Sequence, residues 1–246
     1  MSKRDFAREI LSKKSRLYPS SNRWDKVAMR LRELGNVSGL VEVVFPEFEL
    51  ISDELWPYQD VKYEIVRYLP IGYVTCIEGY FRITYADLLD HGAPFRENFR
   101  EKASELNIKF DIKTALSLQQ HSLSIGDFIA HQLPLNNLED IDRTMSQLIG
   151  EDFLARIKIA QSKIPRQLPM FTEIKADGEA YFNSLKAKIK RLFDIRHIYC
   201  HELVSFIPDT TISVDECVEA AVEFLWLSET IVTELLSQHG SPPNVQ

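Results

Sequence analysis

The sequence predicts a mainly all-α fold. Apolar residues recur at three- and four-residue spacing over most of the 246 positions, and prolines or short polar residues suited to capping stand ahead of those stretches. One segment alone, Val41 to Ile51, has the β-branched, alternating character of a strand. With 45% hydrophobic residues and only nine glycines, the chain can bury a core of ordinary domain size.

The first 32 residues hold ten Lys or Arg against three acids, a local balance of +7 in a chain whose net charge is −7, so the remainder carries −14. Two readings fit this stretch. It is an amphipathic helix with Phe6, Ile10 and Leu11 packing and the basic residues in water, or a basic arm that tracks a phosphate backbone with Trp24 for stacking. Pro19 to Asn22 breaks the first helix and caps a second from about Arg23 to Leu34, which Gly35-Asn36 stops. Val41 to Phe45 and Pro46 to Ile51 then suggest one or two short strands, and Trp56 to Asp60 reads as a connector.

Pro70 fits the first turn of a helix that continues to about Asp90, with Val74, Ile77, Phe81, Tyr85, Leu88 and Leu89 as its buried stripe. Glu78 and Arg82 lie four apart on a neighbouring face, the spacing of a surface ion pair or of a pair that supports a catalytic face. His91-Gly92-Ala93-Pro94 separates this helix from a charged one over Phe95 to Leu106. Beyond Asp111 the helical pattern is interrupted at Ser122-Leu123-Ser124, and Ser124 caps Ile125 to Leu133. Asn136-Asn137 opens a helix to Ile149, and Gly150 divides it from another over Asp152 to Lys163. His121 and His131 have no matching acid or Cys nearby in sequence and read as surface or packing residues. Asp177 caps a long helix with the stripe Ala180, Phe182, Leu185, Ile189, Leu192, Phe193 and Ile195, and Ser213 caps the last helix, Val214 to Leu236. The organisation expected is a basic extension over 1–60, a helical domain over 61–237 and a disordered tail over 238–246.

No apolar run approaches the ~20 residues of a membrane span, and Met1-Ser2-Lys3-Arg4-Asp5 lacks the apolar core of a signal peptide, so a cytoplasmic protein without a membrane partner is expected. Cys76, Cys200 and Cys217 are scattered and odd in number, which suggests reduced and mostly buried thiols rather than disulfides or a zinc knuckle. The acidic net charge argues against coating nucleic acid through bulk electrostatics.

Leu192 to Leu203 is the stretch densest in chemistry, with Arg196, His197, Cys200, His201 and Glu202 within seven positions. On a helix, His197 and His201 stand about 40° apart on one face, whereas Arg196 and His201 are separated by about 140°. A shared task for Arg196 and His201 therefore needs the reach of the Arg, a bend, or a second copy of the chain. Lys186, Lys188, Lys190 and Arg191 form a basic collar ahead of them, either a solvated face or an attraction for RNA.

An Arg followed by a polar residue, with a His four to six intervening positions after the Arg, resembles the signature of the HEPN family (higher eukaryotes and prokaryotes nucleotide-binding). Arg196, His197 and His201 match its Arg, polar residue and His, and Val74 to Arg82 resembles its opening helix. Arg191 and His197 satisfy the same spacing, but apolar Leu192 follows Arg191 where the family has a polar residue. The likeness spans about residues 70–237, within which the middle block resembles a variable insertion. It implies an all-helical domain and a metal-independent endoribonuclease of toxin or antiviral-defence type, without cofactor, acting as a homodimer with two motifs facing each other. His201 would serve as general acid or base on a ribose 2′-hydroxyl and Arg196 would stabilise the phosphorane, leaving a 2′,3′-cyclic phosphate, while His197 orients the phosphate. Candidate RNA contacts are Lys186, Lys190, Arg191, Tyr199, Glu78 and Arg82, and an antitoxin or defence-system protein is the further partner implied. Three alternatives stay open: a non-catalytic HEPN module for binding or dimerisation, a zinc half-site at His197 and His201, and a helical protein in which Arg196 and His201 only pack.

Overall fold

A 36-residue helix, Trp56–His91, runs through the middle of the protein, and the other elements are arranged around it. The computed structural model describes residues 5–14, 22–44, 56–102, 111–163, 178–201 and 214–239. Among these there are ten helices and no strand: α1 (Phe6–Lys14), α2 (Arg23–Val44), α3 (Trp56–His91), α4 (Phe95–Lys102), α5 (Ile112–Gln120), α6 (Ile125–Gln132), α7 (Leu138–Ile149), α8 (Phe153–Ser162), α9 (Gly178–His201) and α10 (Val214–Gln238). The fold is all-α, as the periodicity predicts. Among the described residues no helix is long and apolar enough to cross a membrane.

The predicted stripe of α3 is buried throughout, from Val74 to Leu89. Tyr73, Tyr80 and Thr84, which lie off that stripe, are buried as well, so α3 packs on more than one side. It touches α2, α4, α6, α7, α9 and α10, and a helix apolar nearly all round is one that belongs in a core. Phe81 meets Phe153 of α8 edge to face at 5.7 Å, the geometry in which ring quadrupoles attract, and Phe224 of α10 at 5.6 Å with the ring planes tilted by 43°.

The N-terminal helices share this core through Ala7, Ile10, Val27, Leu31 and Leu34. α2 lies so close to α3 that a Cβ on Gly72 would come within 2.6 Å of the Leu34 side chain. Arg23 at the start of α2 donates from Nε and Nη2 to the two carboxylate oxygens of Glu229 on α10, at 2.8 and 2.9 Å. The buried Tyr80 hydroxyl donates to the same carboxylate at 3.0 Å, and burial holds that phenol well above its ordinary pKa. Arg23 is thus a structural tie between α2 and α10 rather than part of a solvent-facing basic arm. Trp24 packs partly buried against the core instead of standing free to stack.

α6 approaches α3 in a comparable way, because a Cβ on Gly126 would lie 2.6 Å from the Ala86 carbonyl. Its start is closed by the expected cap: Ser124 accepts from the Asp127 amide while Asp127 accepts from the Ser124 amide, a reciprocal capping box. Asn137 and Asp152 cap α7 and α8 as their positions suggest, and Gly150 closes α7 at φ +78°.

Four local expectations fail. Gly35-Asn36 does not stop α2, which runs on through Gly39 to Val44, so Val41 to Val44 is helix and not strand. Gly35 and Asn36 face solvent, where a helical glycine costs only about 1 kcal/mol, while Leu34 is anchored beneath. Trp56 to Asp60 is the first part of α3 rather than a connector, with Pro57 in the first turn where its missing N–H costs nothing. Pro70 sits inside α3, not at its start. It forfeits one hydrogen bond of the helical ladder, and its ring is buried. Ala180 is exposed, outside the buried stripe of α9. Phe45 to Ile51, residues 103–106 of the predicted charged helix, and the caps assigned to Asp177 and Ser213 lie outside the described residues.

Replacing Glu229 with Ala leaves Arg23 and the Tyr80 hydroxyl without their shared acceptor. The unfolding free energy in urea is expected to fall by about 2–4 kcal/mol, well beyond the loss of an exposed ion pair.

Candidate functional site

The end of α9 is oriented by what lies beneath it. Phe182, Leu185, Ile189, Leu192, Phe193 and Ile195 are buried against α3, α7, α8 and α10, which fixes the rotation of the helix. Arg196 consequently faces α3, where its Nη2 donates to Glu78 Oε1 in a charge-assisted hydrogen bond. The two side chains are 23% and 22% exposed, so the pair is neither in bulk water nor sealed. His197, Cys200 and His201 are exposed. The two imidazoles stand one turn apart with ring centroids at 4.9 Å and planes at 47°, as their spacing requires.

Within one chain, then, the motif has two parts: a guanidinium at the α3 seam, and two imidazoles on the exposed face. Tyr199 lies under the guanidinium of Arg67, 5.3 Å from its carbon, a cation–π contact. Arg67 was not among the sequence candidates, since nothing in the local pattern of α3 shows that one of its cations reaches the end of α9.

Glu78 and Arg82 do not form the surface pair their spacing suggests. Glu78 holds Arg196, and Arg82 donates from Nη1 to the carbonyls of Ala130 at 2.7 Å, His131 at 3.2 Å and Leu133 at 3.2 Å. These are carbonyls of the last turn of α6 and the residue beyond, of which that of Ala130 also accepts from the Leu133 amide, so Arg82 acts as a C-terminal cap supplied from another helix. Burial lowers the Arg82 pKa from its ordinary value, and the nearby Glu78 charge opposes that shift.

The basic collar is dispersed among acids and rings. Lys190 pairs with Glu139 of α7, and Lys188 lies 3.3 Å from Glu216 of α10. The Lys186 ammonium sits 5.4 Å from the Phe182 ring centre. Arg191 turns inward, its Nε buried without a hydrogen-bond partner, beside the Cys217 thiol. Burial pushes that thiol up to about 11, against the pull of Arg191. The collar therefore contributes to helix–helix contacts rather than forming one continuous cationic strip.

The thiols divide in the same manner. Cys76 and Cys217 are buried, and burial raises Cys76 to about 12, whereas Cys200 is exposed. Among the described residues no three His, Cys, Asp or Glu side chains are grouped to hold a metal ion, so the His197–His201 pair has no third ligand there; Glu202 lies outside those residues. His131 packs beside Phe6 with its Nε2 3.3 Å from Glu9, and His121 is exposed.

No family model matches this chain, and neither the curated proteins nor the solved structures contain a match to it.

The difference between the thiols is directly measurable. In native protein at pH 8 an aromatic disulfide reagent is expected to titrate Cys200 rapidly and to leave Cys76 and Cys217 unreacted, with all three reacting after denaturation.

Proposed function

We propose that this chain is a metal-independent endoribonuclease of the HEPN type, active as a homodimer through the exposed end of α9. The observation that supports it best is the placement of Arg196 by Glu78 on the same helix end as two exposed imidazoles that stand one turn apart. A guanidinium with a fixed fork of donors suits the charge that builds on a phosphorane, and imidazoles titrate in the range that lets them take and return protons.

In this mechanism His201 removes the proton from a ribose 2′-hydroxyl, and the oxygen attacks the adjacent phosphorus. Arg196 donates to the non-bridging oxygens as their negative charge rises. The bond from phosphorus to the 5′-oxygen breaks, a protonated imidazole gives that oxygen its proton, and the products are a 2′,3′-cyclic phosphate and a free 5′-hydroxyl. His197 orients the phosphate. Because Arg196 and His201 point about 140° apart on one helix, the second chain completes the constellation in the dimer.

A second reading has one observation in its favour. Glu78 already balances the Arg196 charge, which suits a non-catalytic module that binds RNA or a partner protein, such as an antitoxin, through the same helix end.

Cleavage of mixed RNA in excess EDTA separates the two. Wild type is expected to yield cyclic phosphate ends, with His201→Ala and Arg196→Ala each at least ~100-fold slower, the scale of losing an acid–base group or an oxyanion donor. RNA binding without cleavage by wild type would establish the second reading.

A further inference from the structure

A cavity of about 770 Å³ lies where the C-terminal end of α3, the helix α4, the start of α6 and the residue after α10 come together. Its volume is within the ~300–1,000 Å³ spanned by small-molecule sites. Leu89, Phe99 and Ile125 give it an apolar part, and Ile125 is left 60% exposed. The rest of the wall is polar and carries charge of both signs.

The groups able to donate are the guanidiniums of Arg96 and Arg100 and the imidazoles of His91 and His239. Arg96 and Arg100 are four apart on α4, so the two cations share a face and repel each other. Among the described residues Arg100 makes no side-chain hydrogen bond or ion pair, and Arg96 reaches only the Asp90 carbonyl, 3.5 Å from its Nη2. Glu97 and Arg100 have the three-residue spacing of an ion pair, yet they do not form one. Both imidazoles meet the buried Phe95 ring edge to face, at 6.1 and 5.5 Å between centres, and neither spends a ring nitrogen on a hydrogen bond to a described residue. Of the two acids in the wall, Asp90 already accepts through Oδ1 from the Gly126 amide at 3.2 Å, at the positive end of α6. Two guanidiniums and two imidazoles therefore share the cavity with a single carboxylate that no donor engages, Glu97, and the balance favours an anion. One guanidinium fork satisfies a planar carboxylate, whereas two of them, one turn apart, suit the several oxygens of a tetrahedral phosphoryl group. The exposed Glu97 and Glu101 disfavour a long polyanion along α4, which leaves a small molecule.

We infer that this cavity binds a small organic phosphate, with Arg96 and Arg100 donating to the phosphoryl oxygens, an imidazole of His91 or His239 adding a further donor, and the organic ring lying against Leu89, Phe99 and Ile125. The ring is that of an aromatic or of a sugar phosphate. These residues are separate from Arg196, His197 and His201, and the inference does not depend on the nuclease reading.

Titration of the full chain, followed by NMR, with phenyl phosphate and ribose 5-phosphate tests it, each beside inorganic phosphate and its own unphosphorylated parent, phenol or ribose. At least one of the two organic phosphates is expected to bind about tenfold or more tightly than both its parent and inorganic phosphate, and the tighter of them identifies the ring as aromatic or sugar. Arg100→Gln is expected to weaken that binding by about tenfold or more, the scale of a charge-assisted hydrogen bond, while circular dichroism and melting stay as in wild type. Glu97→Gln is expected to tighten it, because a like charge leaves the wall. His201→Ala is expected to bind as wild type does. No binding of either organic phosphate, a parent that binds as tightly as its phosphate, or inorganic phosphate that binds as tightly as both overturns the assignment, and this wild-type comparison decides without any variant. Unchanged binding by folded Arg100→Gln, weaker binding by Glu97→Gln, or loss of binding in His201→Ala overturns it as well, the last by placing the phosphate at the end of α9 instead.

Discussion

The burial of α3 on several faces is the constraint on which the remaining structure depends. A helix with Tyr73, Val74, Ile77, Tyr80, Phe81 and Thr84 all out of solvent must have neighbours nearly all around it, and those neighbours must approach at fixed distances. Gly72 and Gly126 are where the closest approaches fall, against Leu34 of α2 and against the backbone of α3 itself. Once α2 and α6 are seated, the polar groups carried inward have few places to go. The contacts of Arg23 with Glu229 and of Arg82 with the end of α6 follow from that confinement, since buried charge is tolerated where its donors are matched.

The same confinement shapes the end of α9. Its buried stripe sets the helix rotation, the rotation carries Arg196 to the α3 seam, and Glu78 is the acceptor that meets it there. His197 and His201, about 100° and 140° further round the helix, stand on its exposed face by the same geometry. The helix that fixes the Arg thus also turns the imidazoles away from it.

Much of this was legible in the sequence. Periodicity identified the helical class, the stripe of α3 and most of that of α9, and side-chain chemistry located the cap at Ser124 and the helix starts near Asn137 and Asp152. These features depend on residues within one or two turns of each other. What local reasoning misplaced depends on partners far away in the chain. Gly35, Pro70 and Val41 to Val44 carry breaker or strand signals that burial elsewhere in their helices outweighs. Glu78 and Arg82 have the spacing of a pair, yet each is taken by a group about 50 or more residues distant. The contact of Arg67 with Tyr199 and the cavity at the C-terminal end of α3 arise only when α6, α9 and α10 are brought to α3.

The close seating of Gly126 links distant parts of the molecule mechanically. Any side chain there would press on the Ala86 carbonyl and the Asp90 carboxylate, so α6 would be lifted from α3. The carbonyls that Arg82 caps would move with it. A single hydrogen atom, in the place of a methyl group, thus keeps the end of α6 within reach of the guanidinium that caps it.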